Sequence, residues 1–173
     1  MGHKMQVESA HIKGYRLFED ETISFDESTT IIVGRNNSGK TSFIELFYKF
    51  FGSGKPAKFS VDDFSRKQYK SLQEAADAWQ QSHNSAGEES QDTLESHENE
   101  AFGKLPEITL EIEFSYNDDE SATPLADLIL DLDPERHDAL LSCRYYIEKP
   151  QEFLTDFDKS RHDDIIEFAR RRM

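Results

Sequence analysis

The chain has 173 residues, with 35 acidic and 20 basic side chains and a formal net charge of −15, which argues against a protein coated in phosphate-binding surface but leaves room for local basic patches. Its single cysteine, Cys143, excludes an internal disulfide framework, and no apolar run has the length of a membrane span or of a signal peptide's apolar region. We therefore expect a soluble cytoplasmic protein that forms one domain, or part of a larger one.

Three short segments before residue 34 have the composition of β-strands. Residues 7–13 form the first, residues 21–25 place Ile23 and Phe25 on one side of the second, and residues 29–33 are β-branched throughout. Alternation is typical of a half-buried strand, whereas a continuous β-branched run is typical of a strand buried on both faces. We expect two strands to precede the one that leads into residue 34.

Residues 34–41, Gly-Arg-Asn-Asn-Ser-Gly-Lys-Thr, are a complete G-x-x-x-x-G-K-[ST] motif. A strand before it and a helix after it are the context that this phosphate-binding motif requires, and an ordinary glycine turn before a helix is the alternative. Gly34 and Gly39 allow positive φ and a close approach of phosphate oxygens. The amides between them, with the first turn of the helix, would form an anion-binding nest.

A bound triphosphate needs a cation, a metal ligand and further hydrogen-bond donors. We predict that Lys40 is the catalytic residue and places its ammonium on the β- and γ-phosphates. Thr41 would offer its hydroxyl to Mg²⁺, and Ser42 would donate to the α-phosphate. The predicted cofactors are ATP and Mg²⁺.

The run after the motif predicts a helix that ends at Gly52, a natural C′ glycine. Apolar residues cover most of its circumference and predict burial on more than one side: Phe43, Ile44, Leu46, Phe47, Phe50 and Phe51. Residues 53–104 are predicted to be a partly helical, partly acidic and flexible insertion. Within it, one helical stripe predicts an amphipathic helix, formed by Leu72, Ala75, Ala76 and Trp79.

Residues 84–100 are rich in Ser, Glu and Asn and predict a mobile acidic loop. His83 and His97 lie in or beside this loop, and we expect both to be solvent-exposed. The basic residues between Lys55 and Lys70 and the arginines at positions 170–172 are interpreted as solvated charged faces. Contact with nucleic acid is the alternative.

The second half of the chain predicts two strands and three helices. Residues 107–114 alternate apolar and polar side chains, as a strand with one buried face does. Thr123-Pro124 predicts a helix start with an apolar stripe to Leu132, and Asp133-Pro134 predicts a second helix through Leu141. A strand is predicted at residues 142–148, stopped by Pro150, and a last helix at residues 160–172.

Residues 12–18, Ile-Lys-Gly-Tyr-Arg-Leu-Phe, a second strand and the G-x-N-x-x-G-K-T form of the motif resemble the N-terminal lobe of ABC-type ATPases of the SMC and RecF class. With the aromatic-rich helix, Asp62-Asp63-Phe64 and the alternating 107–114 strand, the pattern is most similar to the OLD (overcoming lysogenisation defect) family of ATP-dependent endonucleases. The resemblance implies an α/β P-loop NTPase fold, an ABC-ATPase-type lobe with a mixed sheet, which is incomplete in this chain. We expect residues 1–173 to be one partial domain.

The resemblance also implies site residues at matching positions. Arg16 matches a basic residue that lies near the nucleotide in this class, and Asn36 matches the asparagine of the class motif. The implied nucleotide-binding set is Arg16, Gly34, Asn36, Asn37, Ser38, Gly39, Lys40, Thr41 and Ser42. The family pairs two ATPase heads around ATP, and OLD proteins cut DNA with a further Toprim nuclease domain.

The chain departs from this class in several motifs. There is no Leu-Ser-Gly-Gly-type signature and no four-residue apolar run followed by Asp-Glu. Leu128-Ile129-Leu130-Asp131 is the nearest imitation of a Walker B strand, and its surroundings favour a helix. No Toprim acidic cluster is present, and nothing around Gln151 supports a Q-loop. We therefore expect this chain to bind ATP and to hydrolyse it poorly.

Three functions agree with these patterns to different degrees. The first is the ATP-binding part of an ATPase head that controls action on DNA, with self-association of heads and DNA contacts through parts outside this chain. The second is a non-hydrolysing nucleotide-binding module that regulates partner assembly. The third, a small-molecule kinase, is weakened because such folds place the phosphate loop directly after the first strand. None of the three involves a membrane.

Overall fold

A computed structural model describes residues 5–52, 58–84, 91–116, 138–160, 162 and 164–173. The first part has strands β1 (Gln6–Tyr15) and β2 (Phe18–Ser24), helix α1 (Lys40–Phe51) and a 3₁₀ turn at Val61–Asp63. It continues with two helices, two strands and two further helices: α2 (Arg66–Asn84), α3 (Gln91–Gly103), β3 (Glu107–Ser115), β4 (Asp138–Tyr146), α4 (Pro150–Lys159) and α5 (Ile165–Arg172). The fold class is α/β, as the sequence predicts.

The four strands form one sheet in the order β2-β1-β3-β4, and all three strand pairs are antiparallel. In the register of β1 and β3, Ala10 lies opposite Ile112 and Ile12 opposite Leu110. Because side chains alternate between the faces of a strand, these four residues share one face, and all are buried. The alternating strand predicted at residues 107–114 is confirmed. The expected mixed sheet is wrong for the described residues.

One hydrophobic core lies between this sheet face and α1. It contains Phe43 and Leu46 of α1 together with Phe59 and Phe64, which follow α1 in the chain. The predicted burial of α1 on more than one side is wrong. The side chains of Ile44 and Tyr48 are 55% and 66% exposed, because the described elements cover one side of the helix.

A second core joins the helices. Leu72, Ala76 and Trp79 of α2 pack with Phe153 and Leu154 of α4, and α3 and α5 complete the cluster. This arrangement confirms the amphipathic helix predicted around Leu72. Among the helices in the described ranges, none is long and apolar enough to cross a membrane.

The segment 29–33 is the main departure from the predicted elements. It has no strand pairing, and Ile31 and Val33 are 77% and 83% exposed. A β-branched run favours a strand only when a neighbouring strand accepts its hydrogen bonds and covers its side chains. No described residue supplies such a neighbour here, so the predicted buried strand is wrong for the described part of the chain.

Other boundaries differ because tertiary contacts override local patterns. Helix α3 replaces much of the predicted acidic loop, since its Ala101 and Phe102 pack into the second core. Strand β4 begins at Asp138 and not after a helix through Leu141, because β3 pairs along its whole length. The predicted helix from Thr123 to Leu132 lies outside the described residues.

Two further boundaries follow from capping. Pro150 was expected only to stop a strand, but it starts α4, where a missing amide hydrogen carries no cost. The last helix starts at Ile165 and not at Ser160, because the Asp164 side chain accepts a hydrogen bond from the Ile166 amide and caps it.

Candidate functional site

The loop formed by residues 34–41 follows the exposed 29–33 segment, and its last two residues, Lys40 and Thr41, are the first two residues of α1. Gly39 is the N-cap of α1 and has φ +90, a left-handed conformation, and Asn37 also has a positive φ of 67. The first helical hydrogen bond runs from the Phe43 amide to the Gly39 carbonyl at 2.8 Å. The amides before Phe43 in the first turn therefore have no helical carbonyl to bond, which is the property of an anion-binding helix start.

Lys40 curls back over this loop. Its Nζ donates to the carbonyl oxygens of Gly34 and Arg35 at 2.6 and 2.7 Å, and to the Ser38 hydroxyl at 3.2 Å. The ammonium thus lies inside the ring of loop residues, held by neutral acceptors. An anion that enters the loop would meet this cation together with the helix amides.

A cavity of about 320 Å³ opens at this loop, lined by Leu17 and residues 36–42. The cavity brings together the predicted residues Asn36, Asn37, Ser38, Gly39, Lys40, Thr41 and Ser42. Leu17 was not among the predicted site residues. Its position in the turn next to Arg16 is the feature of the sequence that could have indicated it. It is 55% exposed and gives this polar cavity one apolar wall.

Arg16 reaches the same helix from the turn between β1 and β2. It has a positive φ of 49, and its guanidinium forms an ion pair with Glu45 and approaches the Ser42 hydroxyl at 3.4 Å. A second ion pair joins it to Asp63 at 3.0 Å. The structure therefore brings Arg16 to the first two turns of α1, next to the predicted loop residues.

Asp63 was not singled out as a site residue from the sequence, and a repeated acidic pair is a weak signal. Its side chain is only 4% exposed and also forms an ion pair with Lys49 at 2.9 Å. Burial alone would raise the pKa of Asp63, but hydrogen bonds from Lys49 and the Ser60 amide, with the charges of Lys49 and Arg16, lower it overall. Asp63 is therefore charged at neutral pH.

An apolar groove of about 860 Å³ lies elsewhere along α1. It is lined on one side by Ile44, Tyr48 and Phe51 and on the other by Phe25 and Ile32, and no residue of the 34–41 loop contributes to it. An apolar groove is poorly suited to a charged phosphate group. The polar cavity at the loop is the better candidate site.

The C-terminal arginines and His83 have structural partners. Arg170 and Arg171 form ion pairs with Asp62 and Glu167, and Arg172 contacts two carboxylates of α4. His83 stacks on Trp79, with ring centroids 4.0 Å apart. Among the described residues, no group of three or more His, Cys, Asp or Glu side chains could hold a metal ion.

One of the comparisons with known proteins indicates an ATPase domain. The family model of the AAA ATPase domain matches residues 5–171, nearly the whole sequence. Neither a curated protein nor a solved structure matches the chain significantly. The residues that the family model matches include the loop, both cores and all the described strands. This chain belongs to the AAA ATPase domain family.

Proposed function

We propose that this chain is the nucleotide-binding part of an ATPase head and that it binds ATP with Mg²⁺ at the 34–41 loop. The observation that carries the proposal is the geometry of Lys40, whose ammonium is held within the loop at the start of α1, beside a polar cavity. Family membership supports the use of a nucleotide. The loop's glycines, amides and hydroxyls are the groups that a P-loop NTPase uses for phosphates.

Each loop residue would have a separate task. Lys40 would exchange the carbonyl oxygens of Gly34 and Arg35 for phosphate oxygens, gaining a charge-assisted contact in place of two neutral ones. Thr41 is an exposed residue that lines the cavity, so its hydroxyl could be one oxygen ligand of Mg²⁺, which retains several waters as well. Bound Mg²⁺ would neutralise charge on the phosphates.

The finer identity that we propose is an OLD-like or related SMC/RecF-class head that controls action on DNA, in phage defence or repair. Its support is the resemblance of residues 12–18 and of the G-x-N-x-x-G-K-T loop. DNA contacts and any nuclease chemistry would come from parts outside this chain.

The proposal is tested by calorimetric titration of the whole chain with MgATP, MgADP and adenosine. We expect both phosphorylated nucleotides to bind and adenosine not to bind, because the cavity offers a cation and amides for phosphate and one apolar side chain for a base. Replacing Thr41 by Ala should weaken binding with Mg²⁺ and leave binding in EDTA unchanged. Adenosine binding as tightly as MgATP would contradict the assignment.

A second candidate is a module that binds ATP without turning it over and controls partner assembly. The specific observation in its favour is that the residues lining the described cavity, Leu17 and residues 36–42, include no carboxylate that could activate water. It predicts nucleotide-dependent association in sedimentation velocity with negligible phosphate release. Turnover by this chain alone would favour the first candidate.

A further inference from the structure

The buried carboxylate of Asp63 lies between two cations that belong to different parts of the fold. Its Oδ1 accepts hydrogen bonds from Arg16, at 3.1 Å from Nε, and its Oδ2 accepts one from Lys49 Nζ at 2.9 Å. The Ser60 amide adds a hydrogen bond to Oδ2 at 3.0 Å. Both carboxylate oxygens are therefore used, and neither cation can lose Asp63 without leaving charge partly buried.

These two cations connect Asp63 to both ends of α1. Lys49 lies in the last turn of α1, and Arg16 contacts Glu45 and Ser42 in the first two turns. Ser42 directly follows the 34–41 loop and also lines its cavity. A change at Asp63 can therefore reach the candidate phosphate site through a single side chain, Arg16.

Backbone hydrogen bonds also hold the segment around Arg16 against the segment around Asp63. The Arg16 amide donates to the Asp63 carbonyl at 2.8 Å, the Ser65 amide donates to the Gly14 carbonyl at 2.9 Å, and Tyr15 and Phe64 form a β-bridge between them. Arg16 adopts its left-handed conformation within this pairing. Such a conformation is unfavourable for a side chain as large as arginine unless surrounding contacts hold it.

The turn that contains Asp63 also belongs to both hydrophobic cores. Val61 packs in the core of the four helices, and Phe64 packs in the core between the sheet and α1. The orientation of Asp63 is thus set by packing on both sides and not by a loose surface loop. Because packing holds Asp63 in one orientation, its carboxylate can hold the guanidinium of Arg16 in one orientation as well.

We propose that Asp63 is a positioning residue for the phosphate site: it holds Arg16 against α1, so that the guanidinium stays beside Ser42 and the loop. This inference rests on the proposed function, since it assigns a role in nucleotide binding at the same site. Asp63 itself does not line the cavity and acts through Arg16. Removing its charge frees the guanidinium to pair with Glu45 alone and to leave Ser42.

The test is a double-mutant cycle on MgATP affinity, made with D63N and R16Q. D63N keeps the shape of the side chain and removes its charge, and we expect it to weaken MgATP binding about tenfold. In the R16Q background D63N should cause no further loss, because the route through Arg16 is already absent. The matched control is D62N at the neighbouring position, where the carboxylate contacts Arg170 and Tyr69, and its affinity should be unchanged.

Folding is followed separately through the fluorescence of Trp79, which lies in the helical core away from the loop. A merely structural role for Asp63 would lower the urea midpoint and would weaken MgATP binding equally with and without Arg16. If D63N is unfolded in buffer, the titration is made in trimethylamine N-oxide, which favours the folded state. R16Q and R16Q/D63N must still bind equally.

Each outcome has one meaning. Additive losses from R16Q and D63N, or a D63N protein that binds as tightly as wild type, would overturn the positioning role while leaving the phosphate site in place. Absence of MgATP binding in the wild-type chain would instead overturn the proposed function. Conservative R16K, which keeps the charge but lacks the planar fork, should bind more tightly than R16Q and less tightly than wild type.

Discussion

The ring of Phe18 lies directly against Gly39. A Cβ added to Gly39 would be 3.0 Å from Phe18 Cζ, and the φ of +90 at Gly39 is itself unfavourable for any residue with a Cβ. Phe18, the first residue of β2, thus leaves little room for a side chain at the start of α1. The loop geometry depends on glycine for two separate reasons.

Replacing Gly39 by Ala should therefore damage both fold and site. We expect G39A to lower the free energy of unfolding by about 1–2 kcal/mol, the cost of a left-handed non-glycine residue, and to weaken MgATP binding at least about tenfold. The measurements are urea unfolding followed by Trp79 fluorescence and calorimetric titration. The control is G103A, where an added Cβ has no neighbour within 4 Å. Equal effects of G39A and G103A would contradict the argument.

The hydroxyl of Tyr15 is buried and has no hydrogen-bond partner among the described residues. Burial raises the pKa of Tyr15 to about 12, so the group stays neutral at ordinary pH. Because an unpaired buried hydroxyl is costly, Y15F should keep or raise the free energy of unfolding, by up to about 1 kcal/mol. The matched variant is Y69F, which removes a hydrogen bond of 3.0 Å to the Val61 carbonyl and should destabilise. If Y15F lowers the free energy of unfolding as much as Y69F does, the Tyr15 hydroxyl has a hydrogen-bond partner.

His11 lies on the outer face of the sheet between two carboxylates. Its Nε2 is 2.7 Å from Asp20 and its Nδ1 is 3.4 Å from Glu111, and the hydrogen bond with Asp20 is the main cause that raises the His11 pKa. A raised pKa means that the folded state binds the proton more tightly than the unfolded state. This contribution to stability is present below the unfolded pKa of about 6.5 and is lost as pH rises through the higher folded value.

We therefore expect H11Q to destabilise the protein more at pH 5.5 than at pH 8.5, as measured by urea unfolding at both values. D20N should reduce the same pH dependence, since it keeps an acceptor oxygen but removes the negative charge that favours the protonated imidazole. A difference between wild type and H11Q that is the same at both pH values would show that His11 has no preference for the charged form in the folded state.

Local patterns predicted the elements whose neighbours lie close by or whose chemistry is local. The alternation of residues 107–114 was sufficient because a half-buried strand carries its own signature. The loop motif predicted the positive φ of Gly39 at the start of α1, because glycine permits that backbone shape, whereas Gly34 does not adopt a positive φ. The stripe around Leu72 predicted its helix and its buried side together.

Features that depend on distant residues could not be predicted in the same way. The 29–33 segment has strand composition but no described strand beside it, and β4 becomes a strand because β3 offers it an edge. Helix α3 has few apolar residues and many acidic ones, so the sequence contained no apolar pattern that indicated its packing through Ala101. Asp63 and Arg16 are 47 residues apart in the chain, and only the fold shows that they meet.

The most direct test of the central claim is MgATP titration of K40A beside K70A. Lys40 lies within the loop, whereas the side chain of Lys70 is 81% exposed and pairs with Glu74 on a helix surface. Both proteins should unfold in urea like wild type when followed by Trp79 fluorescence. We predict that K40A binds MgATP at least about 100-fold more weakly than wild type, the loss of charge-assisted phosphate contacts, and that K70A binds normally. A folded K40A protein that binds MgATP as tightly as K70A would contradict the assignment of the site.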